Sequence, residues 1–422
     1  MSMKLGTLLF GLAIIITGCG GGGSGGETIV VFDQGAAESF RPLEIADMDS
    51  DGFPDIVAAS ISGSVNTGFD GRISIFWQSS TAPGSFNSPE HFPYSASGVT
   101  PREITVDDLQ MNGLPDIIGV SLTEGGFRVL LNDANSPRTL LSSTHYGPMV
   151  DAGPSDWPIL RSADLNGDLM PDIVIAGEDA IVYYPQDGSN TGAFLGEILI
   201  GIGTENLAVG DLNGDGLNDV VTFMKEENDV PDTVLYYPQN SLAPGQFTGP
   251  IAITFGYFGL AIGLADVDGD TRTDIIVSGF SGGGLQTIRG ALTIFLQTSG
   301  NTFQRADDHT MADDSSAPRN AIADLDADGD LEIVVGQRRS SAQNIVQIYS
   351  RGPSGAYASS AILTIPEGQA VGAPGLYSIT IADLNDDTQP DIAVSTNEIF
   401  VFFQLTGQPG SFGSATRIAA QR

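Results

Sequence analysis

The sequence predicts an all-β protein, a seven-bladed β-propeller with four antiparallel strands per blade. Three observations carry that prediction. One acidic motif recurs seven times along the 422 residues at a near-constant interval. Each interval holds short runs rich in Val, Ile, Phe and Tyr, bounded by Gly, Pro and Asn, which are strand signals. No window beyond the first nineteen residues sustains a 3.6-residue apolar period, and 54 Gly with 23 Pro favour turns over helices.

The motif reads apolar–Ala–Asp–x–Asp/Asn–x–Asp–Gly–x–x–Asp–Ile–Val. It begins as IADMDSDGFPDIV at Ile45 and returns as VDDLQMNGLPDII, SADLNGDLMPDIV, VGDLNGDGLNDVV, LADVDGDTRTDII, IADLDADGDLEIV and IADLNDDTQPDIA. The first aspartates, at 47, 108, 164, 211, 266, 324 and 383, lie 61, 56, 47, 55, 58 and 59 residues apart. A fixed period of this length means a repeat architecture.

Each interval has the same internal order. A short apolar strand enters the acidic loop, and a second, continuously apolar strand leaves it, such as Asp55-Ile-Val-Ala-Ala. A third strand ends in aromatics and a glutamine, as in Arg72-Ile-Ser-Ile-Phe-Trp-Gln, Val234-Leu-Tyr-Tyr-Pro-Gln and Ile399-Phe-Val-Phe-Phe-Gln. Next comes a Gly/Pro turn closed by an aromatic, as in Ala82-Pro-Gly-Ser-Phe and Gln408-Pro-Gly-Ser-Phe, and a fourth strand leads to the next repeat. Four-stranded sheets repeated seven times bury both faces only if the ring closes. Two segments compete for the last outer-strand place, Thr28–Asp33 before the first blade and Ser414–Ala420 after the last.

These motifs together resemble the FG-GAP/VCBS repeat family, whose calcium-loop blades also occur in integrin α-subunit propellers. The resemblance covers residues from about 28 to 422. It implies a seven-bladed propeller with one Ca²⁺ loop per blade, between the first and second strands.

The loop chemistry points the same way. Ca²⁺ takes six to eight oxygens, and carboxylates at loop positions 1, 3, 5 and 9 converge when the chain curls around an ion. Loops one, five and six carry four acids each: Asp47, Asp49, Asp51 and Asp55; Asp266, Asp268, Asp270 and Asp274; Asp324, Asp326, Asp328 and Glu332. Loops three, four and seven place Asn at position 3: Asp164, Asn166, Asp168 and Asp172; Asp211, Asn213, Asp215 and Asp219; Asp383, Asn385, Asp387 and Asp391. Loop two is the weakest, with Asp108, Gln110, Asn112 and Asp116. Position 6 is Gly in four loops but Leu169, Thr271 and Thr388 in the others, which puts their turn geometry in question. Asx turns without metal are the alternative. They would leave carboxylates crowded in a chain with 52 acids, 17 Lys and Arg and a net charge of −35. Up to seven structural Ca²⁺ ions are expected, with Mg²⁺ disfavoured by its octahedral demand.

The first nineteen residues carry an address. Lys4 precedes the apolar run Leu5–Ile16, too short to span a membrane, and Ile16-Thr17-Gly18-Cys19 resembles a bacterial lipobox. The expectation is a signal peptide over 1–18, a lipidated Cys19, a Gly-rich tether over 19–26 and the propeller over 27–422. Cys19 is the single cysteine, so the propeller has no disulfide. That reading points to a bacterial cell envelope, on the outer membrane, with the lipid as the sole membrane contact, and to a monomer.

Charge excludes nucleic-acid binding, which needs a basic surface. The catalytic inventory is thin: His91, His145 and His309 lie far apart, and no hydrolase or phosphate-loop motif occurs. One ring of positions, five to seven residues before each first loop aspartate, holds Arg41, Arg102, Trp157, Glu205, Leu260, Arg319 and Tyr377. Among these, Arg41, Arg102, Trp157, Arg319 and Tyr377 are candidate ligand-binding residues at the channel mouth opposite the acidic loops. The function expected is a non-catalytic binding or adhesion module for a protein or polysaccharide. The alternatives are a polysaccharide lyase or hydrolase, or a structural envelope component.

Overall fold

The computed structural model describes residues 39–418, apart from short stretches at 65–67, 96–98, 122–123, 137, 148–157, 178–179, 203, 225–232, 282–288, 299–300, 314, 340–343, 367–375 and 397. Cys19, its flanks, Thr28–Asp33 and Trp157 fall outside the described residues.

Seven four-stranded antiparallel sheets follow one another along the chain. Blade one runs Ser39–Ala46, Asp55–Ser64, Gly68–Phe76 and Glu90–Pro93. The first strands of blades two to seven are Glu103–Asp107, Ile159–Ala163, Thr204–Gly210, Phe258–Ala265, Ser315–Ala323 and Ser378–Ala382. The described residues contain no helix. Blade seven takes its fourth strand from Thr416–Ile418, which settles the competition between the two terminal segments in favour of the C-terminal one.

The chain folds this way because each second strand is apolar on both faces. Asp116–Val120, Asp172–Ala176 and Asp391–Ser395 are buried at every residue. A sheet so lined needs cover on two sides, and neighbouring blades provide it. The core is accordingly split into seven clusters, each shared by two adjacent blades. One packs Leu43, Ile56 and Phe76 of blade one against Leu384, Val401 and Ile418 of blade seven, so the ring closes by side-chain packing. Ser378 Oγ adds a hydrogen bond to the Leu43 carbonyl across that seam, at 3.3 Å.

Part of the chain after the third strand of blade two is regular. It holds a hairpin bridge from Asn132 to Leu140 and the outer strand Thr144–Tyr146. Tyr146 stacks on Phe127 at 5.2 Å and meets Phe194 edge-on, so it belongs to the core between blades two and three. His91, His145 and His309 all lie on outer strands, in three different blades.

Candidate metal loops and channel mouth

All seven acidic loops occupy one register. The residue before position 1 pairs with position 9, from Ala46 with Asp55 in blade one to Ala382 with Asp391 in blade seven. Position 2 is always apolar and buried: Met48, Leu109, Leu165, Leu212, Val267, Leu325 and Leu384. That side chain pins the loop to the inter-blade core while the polar residues on either side curl above it.

The curl is the same in every blade. Positions 4 and 6 both take positive φ, from Ser50 (56°) and Gly52 (91°) to Asp386 (59°) and Thr388 (67°). Leu169, Thr271 and Thr388 adopt φ of 68°, 71° and 67° where the other loops have glycine. The three glycine-less loops therefore keep the turn. A β-branched residue in this region is strained by about 1–2 kcal/mol, and the hydrogen bonds of the loop offset it. The position-6 N–H donates to the position-1 carboxylate in all seven, at 2.9 Å for Gly52 to Asp47 and 2.7 Å for both Thr271 to Asp266 and Thr388 to Asp383. The position-7 N–H donates to position 5, for example Phe53 to Asp51 at 3.0 Å.

Position 9 is the buried member. Asp55, Asp116, Asp172, Asp219, Asp274, Glu332 and Asp391 are all at most 3% exposed. Burial drives their pKa values up, to about 7 for Asp55, Asp116, Asp172 and Glu332 and to about 6 for Asp219, Asp274 and Asp391. Backbone donors pull back against that rise. One oxygen of Asp55 accepts from Met48 N at 3.0 Å and the other from Gln78 N at 2.8 Å. Glu332, one methylene longer, keeps the loop contact, 2.8 Å from Leu325 N.

In five blades the second residue past the third strand, Gln78, Asn132, Gln186, Gln239 or Gln404, is a buried amide, and in four of them it forms a clasp. The Gln78 amide donates to Pro54 O at 2.6 Å while its oxygen accepts from Gly84 N at 2.9 Å. Gln186, Gln239 and Gln404 repeat both bonds. Gln404 and Asn132 also reach the preceding blade, at Leu325 O (2.8 Å) and Met48 O (2.6 Å). The repeated Trp-Gln and Pro-Gln pairs were the signal, and a buried amide needs such partners.

The loops fit a divalent cation by their donor sets. In loops one, five and six, one oxygen from each of positions 1, 3 and 9 comes within 4.8 Å of the others: Asp47, Asp49 and Asp55; Asp266, Asp268 and Asp274; Asp324, Asp326 and Glu332. Asp324 Oδ1 is buried with no hydrogen-bond partner among the described residues, which is the state of a ligand oxygen waiting for an ion. Calcium would draw carboxylates or Asn oxygens from positions 1, 3, 5 and 9, as hard-oxygen coordination requires.

At the start of the first strands the structure brings Arg102, Arg319 and Tyr377 around one small cavity of about 20 Å³, with Glu103 beside them. Arg102 is 8% exposed. Arg319 Nε donates to Tyr377 O at 2.6 Å, and burial lowers the pKa of its guanidinium. Arg161 pairs with Glu103 at 3.3 Å, and Glu44 close by has its pKa raised to about 7, chiefly by burial. The Arg41 and Glu205 side chains are outside the described residues, as is Trp157.

Two comparisons with known proteins bear on these features. A solved lectin of Agrocybe aegerita, described as recognising non-reducing terminal N-acetylglucosamine, superposes with a TM-score of 0.53 over 82% of this chain and 87% of its own, at 17% identity. At that identity the likeness is one of fold. The profile of the FG-GAP-like repeat matches residues 47–119, 164–222, 211–277 and 324–394, stretches that contain all seven acidic loops. With more than half of its length matched, and every match built on the loops described above, the chain belongs to the FG-GAP-like repeat family.

Proposed function

We propose that this protein is a calcium-stabilised, membrane-anchored module of the cell envelope that binds a carbohydrate or protein ligand without transforming it. The observation that carries the calcium part is the single curl shared by seven loops, with carboxylates converging in three of them. Metal that binds only the folded loop adds its binding free energy to folding. A disulfide-free extracytoplasmic domain, anchored through Cys19, would gain its staples in this way. The binding part is supported by the family and by a lectin that shares the fold.

The test is a melt of the full chain, stripped of metal and then titrated with Ca²⁺, followed by glycan and protein arrays probed with and without calcium. A rise in Tm that saturates at several ions per chain, with ligand retained unchanged on the array, is expected. Identical melts with and without calcium would defeat the metal assignment. Turnover of a bound polysaccharide would replace the binding module with an enzyme.

A further inference from the structure

The seven loops are not equivalent, and the difference lies in the neighbouring blade. In blades one, three, four and seven the third strand is followed by a hairpin whose seventh residue, counted from the Gln, is a left-handed glycine: Gly84 (φ 80°), Gly192 (83°), Gly245 (84°) and Gly410 (75°). Each of these glycines sits against position 3 of the preceding blade's acidic loop. A Cβ at Gly84 would come 3.1 Å from Asn385, and one at Gly410 would come 3.1 Å from Asp326. A Cβ at Gly192 would come 3.4 Å from Gln110 and one at Gly245 would come 3.4 Å from Asn166, behind closer contacts with Leu131 and the Tyr183 hydroxyl.

Blade two breaks the pattern. Its hairpin, Asn132 to Leu140, carries Arg138 at the glycine position, and Arg138 still turns left-handed with φ of 67°. Its Nε donates to Asp49 Oδ2 at 2.5 Å, and Nη2 lies 3.9 Å from Asp51 Oδ2. The guanidinium rests 4.9 Å above the Trp77 ring, an attractive cation–π contact. The Asp49 side chain is only 6% exposed, so the pair is shielded from solvent on the carboxylate side.

The two oxygens of Asp49 have different tasks. Oδ1 accepts from Asp51 N at 3.2 Å. The single amide oxygen of Asn166 and of Asn385 accepts the matching bond, at 2.9 and 3.1 Å, and it is the one oxygen those residues can offer a metal. Oδ1 is thus the metal-side atom of position 3, and Oδ2 of Asp49 faces the next blade. Arg138 and a cation can therefore share Asp49. Charge follows the same logic around the ring. Of the three loops with acids at all four ligand positions, two have an arginine ion-paired to one of those acids, Arg138 on Asp49 and Arg272 on Asp270, and in loop six Arg351 pairs with Asp330 at position 7. Loops three, four and seven have Asn at position 3 and no such pair among the described residues.

We propose that Arg138 is a counter-cation built into the first acidic loop from the neighbouring blade, where it positions Asp49 and sets how tightly that one loop takes a divalent cation. This rests on the reading of the loops as calcium sites. Outer partners of ligating carboxylates orient them and tune affinity. A positive charge beside the ligand set weakens the pull on a cation and stabilises the loop when it is empty.

The chain carries its own reporter, because Trp77 lies under Arg138 beside loop one and the sequence holds only one other tryptophan, Trp157. In the full chain with Trp157→Phe, Tb³⁺ is titrated alone, with luminescence excited through Trp77, and then displaced with Ca²⁺. Arg138→Gln, which keeps a long stem over the ring, and Arg138→Gly, which restores the usual turn residue, should each lower the half-saturating Tb³⁺ concentration about fivefold to tenfold. Both should lower the Tm of the metal-free protein, and Arg138→Lys should stay near the parent on both readouts. Unchanged half-saturation in both the Gln and Gly variants would overturn the role of Arg138. So would ions counted by equilibrium dialysis without any tryptophan-excited signal. If dialysis counts no bound ion at all, the calcium reading itself fails, an outcome distinct from the other two.

Discussion

Gln404 shows how much one side chain can hold in this architecture. Its amide nitrogen donates to Pro390 O at 2.7 Å and to Leu325 O at 2.8 Å, and its oxygen accepts from Gly410 N at 2.8 Å. The side chain is 4% exposed, so truncation leaves buried partners unpaired. Gln404→Ala is expected to destabilise the protein by about 2–4 kcal/mol, read as a lower midpoint in urea denaturation. A change within experimental error would show that water replaces the amide. The clasp could have been found from the recurring glutamine after the aromatics, but its partners lie in another loop and another blade, and no local pattern names them. Arg138 was hidden more deeply. Only the pairing of Asn132 with Leu140 aligns it with the glycines of the other hairpins. The loop ligands, by contrast, were readable because all of them fall within nine residues, where spacing alone brings them together.

At the scale of the loop, seven buried carboxylates govern how stability depends on pH. Each has a folded pKa of about 6 or 7, raised by burial, against about 4 in an unfolded chain. The folded protein then binds more protons than the unfolded one between those values, so stability falls as pH rises through that window. Metal-free protein should lose Tm steadily from about pH 4 to pH 7. Saturating Ca²⁺ should flatten the decline, because a cation favours the ionised form. Melts at a series of pH values, with and without calcium, would check this. A Tm that climbs over the same range in metal-free buffer would mean that these groups are solvated rather than buried. The left-handed turns at Thr271 and Thr388 belong to the same scale. Their missing glycine put the turn in question, yet the N–H of each still reaches the position-1 carboxylate at 2.7 Å, and that bond outweighs the local preference.

At the scale of the molecule, the ring depends on its last strand. Ile418, 8% exposed, packs into the same cluster as Ile56 and Phe76 of blade one. Removing residues 414–422 should strip the outer strand of blade seven and turn a single cooperative melt into a broad, lower one, measured by circular dichroism. An unchanged melt would mean that the seam closes without it. The blade count followed from the seven-fold period and the strand order from the apolar runs within each interval, because a closed stack is the arrangement that buries apolar sheets on both faces. The choice of closing strand did not follow, since both terminal segments, Thr28–Asp33 and Ser414–Ala420, could supply a short outer strand.

Among the described residues each blade is made of one continuous stretch of chain, and no sheet borrows a strand from another. This has a consequence for birth of the molecule. Blades one to six can assemble in order as the polypeptide emerges, each docking on its predecessor. Until Ile418 is synthesised, however, the growing arc keeps two sticky ends, the Leu43–Phe76 side of the oldest blade and the free flank of the newest. Closure therefore joins the first and last described sheets, and an arc without Ile418 would leave an apolar flank open at each end.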